Sequence, residues 1–373
     1  MTMMETPFYI VYEDKLRHNL DIITDVARRA GVTIIMAFKA NALWRTFGVM
    51  RERGVRSTAS SLNEMLLANE ELGCLAHTYC PAYTEATIDR FVAGSSHITF
   101  NSVDQFLRFK ERVVGRVSCG LRINPMCSVV ETDIYNPCGA GSRFGVTADR
   151  LPQLPDGIEG LHFHALCEST SHDLATVLEA VEQQFGHLLP HVKWINMGGG
   201  HLMTREGYDR DHLVALLLDF KQRHPNLEVI LEPGSAFCWQ TGDLVTSVVD
   251  VVENSGIRTA IVDVSFACHM PDCLEMPYKP AIAEALPEVD TSRPTYRLGG
   301  NSCLSGDFVG DWSFDHVLQR GERLTLLDMN HYTTVKTTMF NGIDHPAIVY
   351  QKSDGTLEVL RRFTYDDYKS RMS

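Results

Sequence analysis

Eight short apolar runs recur between residues 32 and 231, and most are separated by a stretch in which apolar residues return every three or four positions. The runs are Val32 to Phe38, Arg56 to Ala59, His77 to Cys80, His97 to Phe100, Val117 to Ile123, Ile158 to His164, Val192 to Met197 and Leu227 to Leu231. Segments 43–53, 62–72, 84–93, 103–113, 174–189 and 208–223 carry helical spacing, as with Val103, Phe106 and Leu107 at i, i+3 and i+4. Ser61 and Asn63 before Glu64, and Ser102 before Asp104, offer side-chain acceptors suited to helix starts. Strands joined through helices pair in parallel, because a helix carries the chain back to the end where it began. Eight such units without an obvious break predict a closed (β/α)8 barrel over an open doubly wound sheet.

Past Glu232 the rhythm changes. Segments 243–252, 258–264, 295–298, 324–327, 347–350 and 357–362 read as strands with no long helix between them, so a second, mostly antiparallel β domain follows the α/β barrel. The expected division is a barrel over residues 13–240 and a β domain over 241–373. A strand at Phe8 to Tyr12, within residues 7–12, precedes the first helix and is expected to join the β domain.

The remaining composition narrows the function classes. The 34 Lys plus Arg stand against 47 Asp plus Glu, a formal charge of −13, which disfavours a nucleic-acid surface and suits a cationic ligand. No apolar run approaches the roughly 20 residues of a membrane span. The start, Met1-Thr2-Met3-Met4-Glu5, lacks the basic and apolar regions of a secretory signal, so a cytoplasmic location is expected. Ten cysteines without a Cys-x-x-Cys pair are expected to be mostly reduced and buried. Cys268, His269 and Cys273 lack a second ligand pair at zinc spacing, so no metal is expected.

In a (β/α)8 barrel the chemistry sits at the C-terminal ends of the strands. Those ends carry Lys39, Arg122, His164, the triplet Gly198-Gly199-Gly200 and Glu232-Pro233-Gly234. Each alone has an ordinary explanation; gathered on one rim they suit a phosphate-bearing aldehyde cofactor. Consecutive glycines let backbone N–H groups approach a phosphate. A partly desolvated lysine forms Schiff bases, and a carboxylate such as Glu232 keeps a pyridine nitrogen protonated.

The ordered set Ala37-Phe38-Lys39-Ala40-Asn41, His162-Phe163-His164, Gly198-Gly199-Gly200, Glu232-Pro233-Gly234, Cys303 with Asp307, and His331-Tyr332-Thr333 followed by Phe340-Asn341-Gly342 resembles the fold type III pyridoxal-phosphate decarboxylases over nearly the whole chain. That family includes ornithine, arginine and diaminopimelate decarboxylases. The resemblance implies pyridoxal 5'-phosphate linked to Lys39, with His164 stacked on its ring and Glu232 at its pyridine nitrogen. It assigns the phosphate to Gly198, Gly199, Gly200 and Tyr332, with Cys167 and Gly234 also expected at the cofactor. It also implies a homodimer in which Cys303 and Asp307 enter the partner's active site.

Three departures bear on the substrate. Ser235 follows Glu232-Pro233-Gly234 where ornithine and diaminopimelate decarboxylases carry arginine, so part of the phosphate anchoring must be replaced. The aspartate usual near the end of strand two has no counterpart in Ser57-Thr58-Ala59-Ser60-Ser61. The loop from Gly299 to Asp307 lacks the glutamate that follows the cysteine in diaminopimelate decarboxylases. That loop, with Cys80-Pro81-Ala82-Tyr83, Ala165-Leu166-Cys167-Glu168, Cys268-His269-Met270-Pro271-Asp272, Leu274-Glu275-Met276-Pro277-Tyr278 and Tyr332-Thr333-Thr334-Val335-Lys336, is similar to the family branch that decarboxylates carboxynorspermidine and carboxyspermidine. A polyamine acid of this kind needs carboxylates far from the ring, and Glu168, Asp272, Glu275 and Asp307 are candidates. Arg122 and His269 complete the expected substrate contacts. Decarboxylation of diaminopimelate or ornithine, a racemase on the same fold, and a silent regulatory paralogue are the alternatives. The presence of Lys39, Cys303 and Asp307 disfavours the last.

Overall fold

The computed structural model describes residues 4–130, 135–276 and 278–373. Met1 to Met3 of the N-terminal segment and Pro277 of the Leu274 to Tyr278 motif lie outside the described residues. The chain divides into two units, His18–Phe237 and Met1–Arg17 with Cys238–Ser373. Strand β1 (Phe8–Tyr12) belongs to the second.

The first unit is a ring of parallel strands: β2 (Thr33–Ile34), β3 (Met36–Ala37), β4 (Ser57–Ala59), β5 (Ala76–Tyr79), β6 (Ser95–Phe100), β7 (Ser118–Arg122), β8 (Gly160–His162), β9 (Trp194–Asn196) and β10 (Glu228–Leu231). Eight apolar runs yield nine strands because the first run is cut at Ile35. Thr33 and Ile34 pair with Ile230 and Leu231 of β10, whereas Met36 and Ala37 pair with Ser57 and Thr58 of β4. The two halves of one run thus join the last strand to the second, closing the barrel.

Toward the N-terminal ends of the strands, the interior is filled by Trp194. Its indole occupies space left by two glycines: a Cβ on Gly160 would lie 2.0 Å, and one on Gly120 2.3 Å, from the indole ring. Trp194 Nε1 donates to Ser118 Oγ at 2.9 Å. The His97 ring meets the indole edge-on, and His77 stacks on His97 with centroids 3.9 Å apart.

The helix Val103–Val113 forms where its apolar period placed it. Ser102 Oγ accepts from Gln105 N at 3.1 Å, and Phe106, Phe109 and Val113 are buried, each contributing about 1.5–3 kcal/mol by burial. The helix Ser171–Phe185 starts ahead of the expected Leu174 because Thr170 and Asp173 form a reciprocal capping box. Segment 43–53 holds only a 3-10 turn at Trp44–Thr46 and a single helical turn at Gly48–Arg51. Between β7 and β8 the described residues contain only a 3-10 turn, Ala148–Arg150.

The second unit is a sheet of β1 with β11 (Gly242–Asn254), β12 (Ile257–Val262), β13 (Thr295–Gly299), β14 (Phe308–Ser313), β15 (Arg323–Leu326), β16 (Ala347–Gln351) and β17 (Leu357–Arg361). Most pairs are antiparallel; β1 with β16 and β12 with β13 are parallel. Tyr9, Leu244, Val262, Leu298, Trp312 and Phe314 belong to its core. Strand β14 escaped the sequence pattern because Gly310 and Asp311 interrupt its apolar residues, yet it pairs along β13. Among the described residues no helix is long and apolar enough to cross a membrane.

Candidate active site

Lys39 lies two residues beyond β3, and its amine lies 3.5 Å from Nε2 of His164, which stands two residues beyond β8. Both line a cavity of about 990 Å³ at the C-terminal ends of the strands, with Ser60, Tyr79, Arg122 and Glu232. The Lys39 side chain is open to the cavity yet encircled by protein atoms. That burial lowers the affinity of the amine for its proton, Glu232 opposes the shift and Arg122 adds to it. His164 is held neutral, first by burial and then by Lys39 and Arg122. Its Nδ1 accepts from Gly199 N at 3.1 Å, leaving Nε2 toward the lysine. The Arg122 guanidinium is packed against the rings of Tyr79 and Phe144, 4.6 and 4.5 Å from their centroids, and donates to His164 O at 3.4 Å.

Glu232, the first residue after β10, shows how strand register sets ionisation. Burial alone would push its carboxyl up; His162, Asn196 and Lys39 outweigh burial and hold it below the ordinary value. Asn196 Nδ2 donates to Glu232 Oε2 at 2.9 Å, and His162 Nε2 lies 3.2 Å from Oε1. Asn196 also receives Gly198 N on its Oδ1 at 2.8 Å, so one amide ties the glycine turn to the carboxylate.

The glycine triplet is required by close approach as well as by backbone conformation. Gly198 and Gly200 have φ of 72° and 91°, and a Cβ on Gly199 would stand 2.5 Å from Glu232 O. Ser169 N donates to Gly200 O at 2.8 Å, bringing the loop that contains Cys167 against the turn. Cys167 is half-buried, and its backbone N–H is received by Ser169 Oγ at 3.2 Å. Gly234 lets the turn after β10 lie on the lysine loop, since a Cβ there would be 2.6 Å from Ala40 Cβ. Ser235, at the position where ornithine and diaminopimelate decarboxylases carry arginine, opens a single helical turn, Ser235–Cys238. Glu168 is exposed, with φ of 47°.

The barrel unit therefore brings together Lys39, Arg122, His164, Gly198, Gly199, Gly200, Glu232 and Gly234. Cys167 and Glu168 belong to the same unit, on the loop after β8, and the remaining sequence-predicted residues lie in the sheet unit. Cys303 is exposed, its backbone N–H received by Asn341 Oδ1 at 2.8 Å. Asp307 is buried, one oxygen accepting from Ala267 N at 3.0 Å and the other from Ser302 N and Oγ at 3.2 and 2.6 Å. The Asp272 and Glu275 carboxylates both pair with Lys336. His269 is buried, and its Nδ1 accepts from Ser265 N at 3.1 Å. Tyr332 is half-buried in a turn with φ of 51°. Among the described residues no cluster of His, Cys, Asp or Glu is arranged to hold a metal ion.

Sequence reasoning gave no role to Asn196, His162 or Tyr79. His162 opens the motif that ends in His164 and Asn196 ends β9 ahead of the glycine triplet, so the available signal was a polar side chain two residues before a strand-end residue in each case. The barrel residues fit pyridoxal 5'-phosphate: a lysine whose amine gives up its proton readily, an ionised carboxylate for a basic ring nitrogen, and a turn whose bare Cα atoms leave backbone groups within reach of a phosphate.

The family described as pyridoxal-dependent decarboxylase, C-terminal sheet domain, matches residues 9–330. The chain is 46% identical to the carboxyaminopropylagmatine decarboxylase of Synechocystis sp., over 100% of this chain and 96% of that protein. It is 39% identical to the carboxynorspermidine/carboxyspermidine decarboxylase of Campylobacter jejuni, over 99% and 98% of the two chains. The crystal structure of carboxynorspermidine decarboxylase from Campylobacter jejuni, complexed with norspermidine, superposes with a TM-score of 0.91 at 38% identity, covering 99% of this chain and 100% of that one. With the strand-end lysine, the glycine turn and the paired glutamate in place, the chain belongs to the pyridoxal-dependent decarboxylases, carboxy-lyases that use pyridoxal 5'-phosphate.

Proposed function

We propose that this carboxy-lyase removes the α-carboxylate of carboxynorspermidine or carboxyspermidine as CO2, leaving norspermidine or spermidine. The chemistry rests on one observation: a deprotonation-prone Lys39 beside a neutral His164, in a cavity whose Glu232 is kept ionised by His162, Asn196 and Lys39. The substrate class is supported by the likeness to relatives named for such acids. Lys39, His164, Glu232 and the glycine turn would hold the cofactor, which when bound would supply the sink for the electron pair that stays on Cα as CO2 departs, until a proton takes the place of the carboxylate. His164 is kept as a neutral, apolar-faced ring by burial, so it covers an aromatic surface without adding charge. Glu232 retains a negative charge where a protonated nitrogen needs one. Arg122, clamped between two rings, adds positive potential for a carboxylate while moving no proton.

The relative named for carboxyaminopropylagmatine favours a second reading, in which the far end of the substrate is a guanidinium instead of an ammonium. A guanidinium offers planar, forked donors and an ammonium a compact charge, so the two demand different distal carboxylates. In either case the enzyme is proposed to be a cytoplasmic homodimer, with Cys303 of each subunit serving the barrel site of its partner. The thiols, all free, accord with a reducing compartment. Purified holoenzyme given carboxynorspermidine, carboxyspermidine, carboxyaminopropylagmatine, ornithine and meso-diaminopimelate tests the assignment. The highest kcat/KM is expected for one of the first two, with at most a few hundredfold between them because they differ by one methylene. Preference for the guanidino acid would establish the second reading, and preference for ornithine or diaminopimelate would overturn both.

A further inference from the structure

His162 is the most buried polar side chain at the site, 1% exposed, and the family resemblance assigns it no task. Its Nε2 lies 3.2 Å from Glu232 Oε1, and neither ring nitrogen has a well-aligned hydrogen bond. Burying two imidazole nitrogens without full partners costs free energy that a phenylalanine of similar volume would avoid. The contact with Glu232 is what the histidine offers and a phenylalanine lacks.

The surroundings hold the imidazole in place. Tyr79 meets it edge-on with centroids 5.4 Å apart; the Tyr79 hydroxyl donates to Asn101 Oδ1 at 2.7 Å, and the Arg122 guanidinium covers the Tyr79 ring. On the other edge of Glu232, the Asn196 amide is oriented by Gly198 N, so Nδ2 faces Oε2. His162 on β8 and Asn196 on β9 are register partners, one strand pair away from Glu232 after β10. The other charged and titratable groups that act on His162 and Glu232 are Lys39, His77, His164 and His201.

We propose that His162 is a positioning residue: it fixes the Oε1 edge of Glu232 as Asn196 fixes Oε2, so that Glu232 meets the ring nitrogen of the cofactor as a carboxylate of one orientation. The proposal rests on the assignment of Glu232 to that nitrogen. His162→Phe keeps the ring volume and removes the N–H, whereas His162→Gln keeps a donor. His162→Met repeats the loss with a flexible apolar chain should the phenylalanine variant not fold.

Each variant, folded as judged by circular dichroism and loaded with cofactor labelled with 15N in its ring, is measured by NMR across neutral pH together with kcat and KM. The expected result for Phe or Met is a ring-nitrogen signal moved from the protonated toward the unprotonated position, with kcat lowered roughly tenfold or more at unchanged KM. Gln is expected to restore most of both. Loaded Phe and Met variants with the parental nitrogen signal and the parental pH profile of kcat would overturn the proposal. Glu232→Gln run beside them separates the two layers: if it too leaves the signal protonated, the assignment of Glu232 falls and takes the proposal with it.

Discussion

At the scale of single residues, the site works through ionisation that neighbours impose. Lys39→Ala should abolish both turnover and the visible absorbance of the covalently held cofactor, and retention of either would remove Lys39 from its place. Glu232→Gln should keep the cofactor while slowing a single turnover about a hundredfold or more, which rapid-quench measurement of CO2 release checks. Histidine burial has a second consequence, for stability. Burial first, then Arg56, depresses His97 to about 4, and burial depresses His201 to about 4, against 6.5 in the unfolded chain. Between those values the unfolded chain binds more protons than the folded one, so stability falls as pH drops from about 6.5 toward about 4. On going from about pH 7 to about pH 5, the parent should lose about 2 kcal/mol more than His97→Phe in urea unfolding. Parallel losses would mean that His97 is protonated as readily folded as unfolded. Lys39, His164 and Glu232 were legible because each ends a strand of its own. The partners of Glu232 were not, because they come from register between strands, with Asn196 36 residues away in sequence. Likewise, Asp272 and Glu275 read as receptors for a distant cation, but each meets Lys336 more than 60 residues along the chain, and no local pattern announces such a pair.

At the scale of elements, the barrel depends on where side chains are missing. Gly120 on β7 and Gly160 on β8 leave the volume that Trp194 on β9 fills, so three consecutive strands are matched in shape. Gly160→Ala should cost about 1–3 kcal/mol by overpacking against a rigid ring. Combined with Trp194→Phe, it should cost less than the sum of the two single changes, because the smaller ring leaves room for the methyl group. Urea unfolding of the four proteins gives the coupling, and strict additivity would mean that the indole does not shape the glycine position. Elements with a strong local signal were legible: Val103–Val113 has both its apolar period and its Ser102 cap, and β1 is a continuous apolar run. The cut at Ile35 was not, since it arises from closing the ring, and β14 was not, since its pairing with β13 substitutes for apolar alternation.

At the scale of the whole molecule, the residues proposed to carry the chemistry are divided between two units of the chain. The barrel unit holds Lys39 and Glu232, and the sheet unit presents Cys303 on a loop fastened at two points, by Asn341 at the Cys303 backbone and by Asp307 at Ser302 and Ala267. The fastening engages both oxygens of Asp307 in shaping the loop, while the Cys303 side chain stays exposed. If Cys303 serves the barrel site of the partner subunit, then Lys39→Ala and Cys303→Ala homodimers are each defective at every site. A mixed dimer would place one site with both changes and one with neither. Random exchange between equal amounts gives mixed dimers as half of the population, so activity should return to about a quarter of the parental value. Mass-labelled subunits establish that exchange has occurred. Exchange without recovered activity would show that each chain serves itself, and would return Cys303 to the barrel of its own subunit.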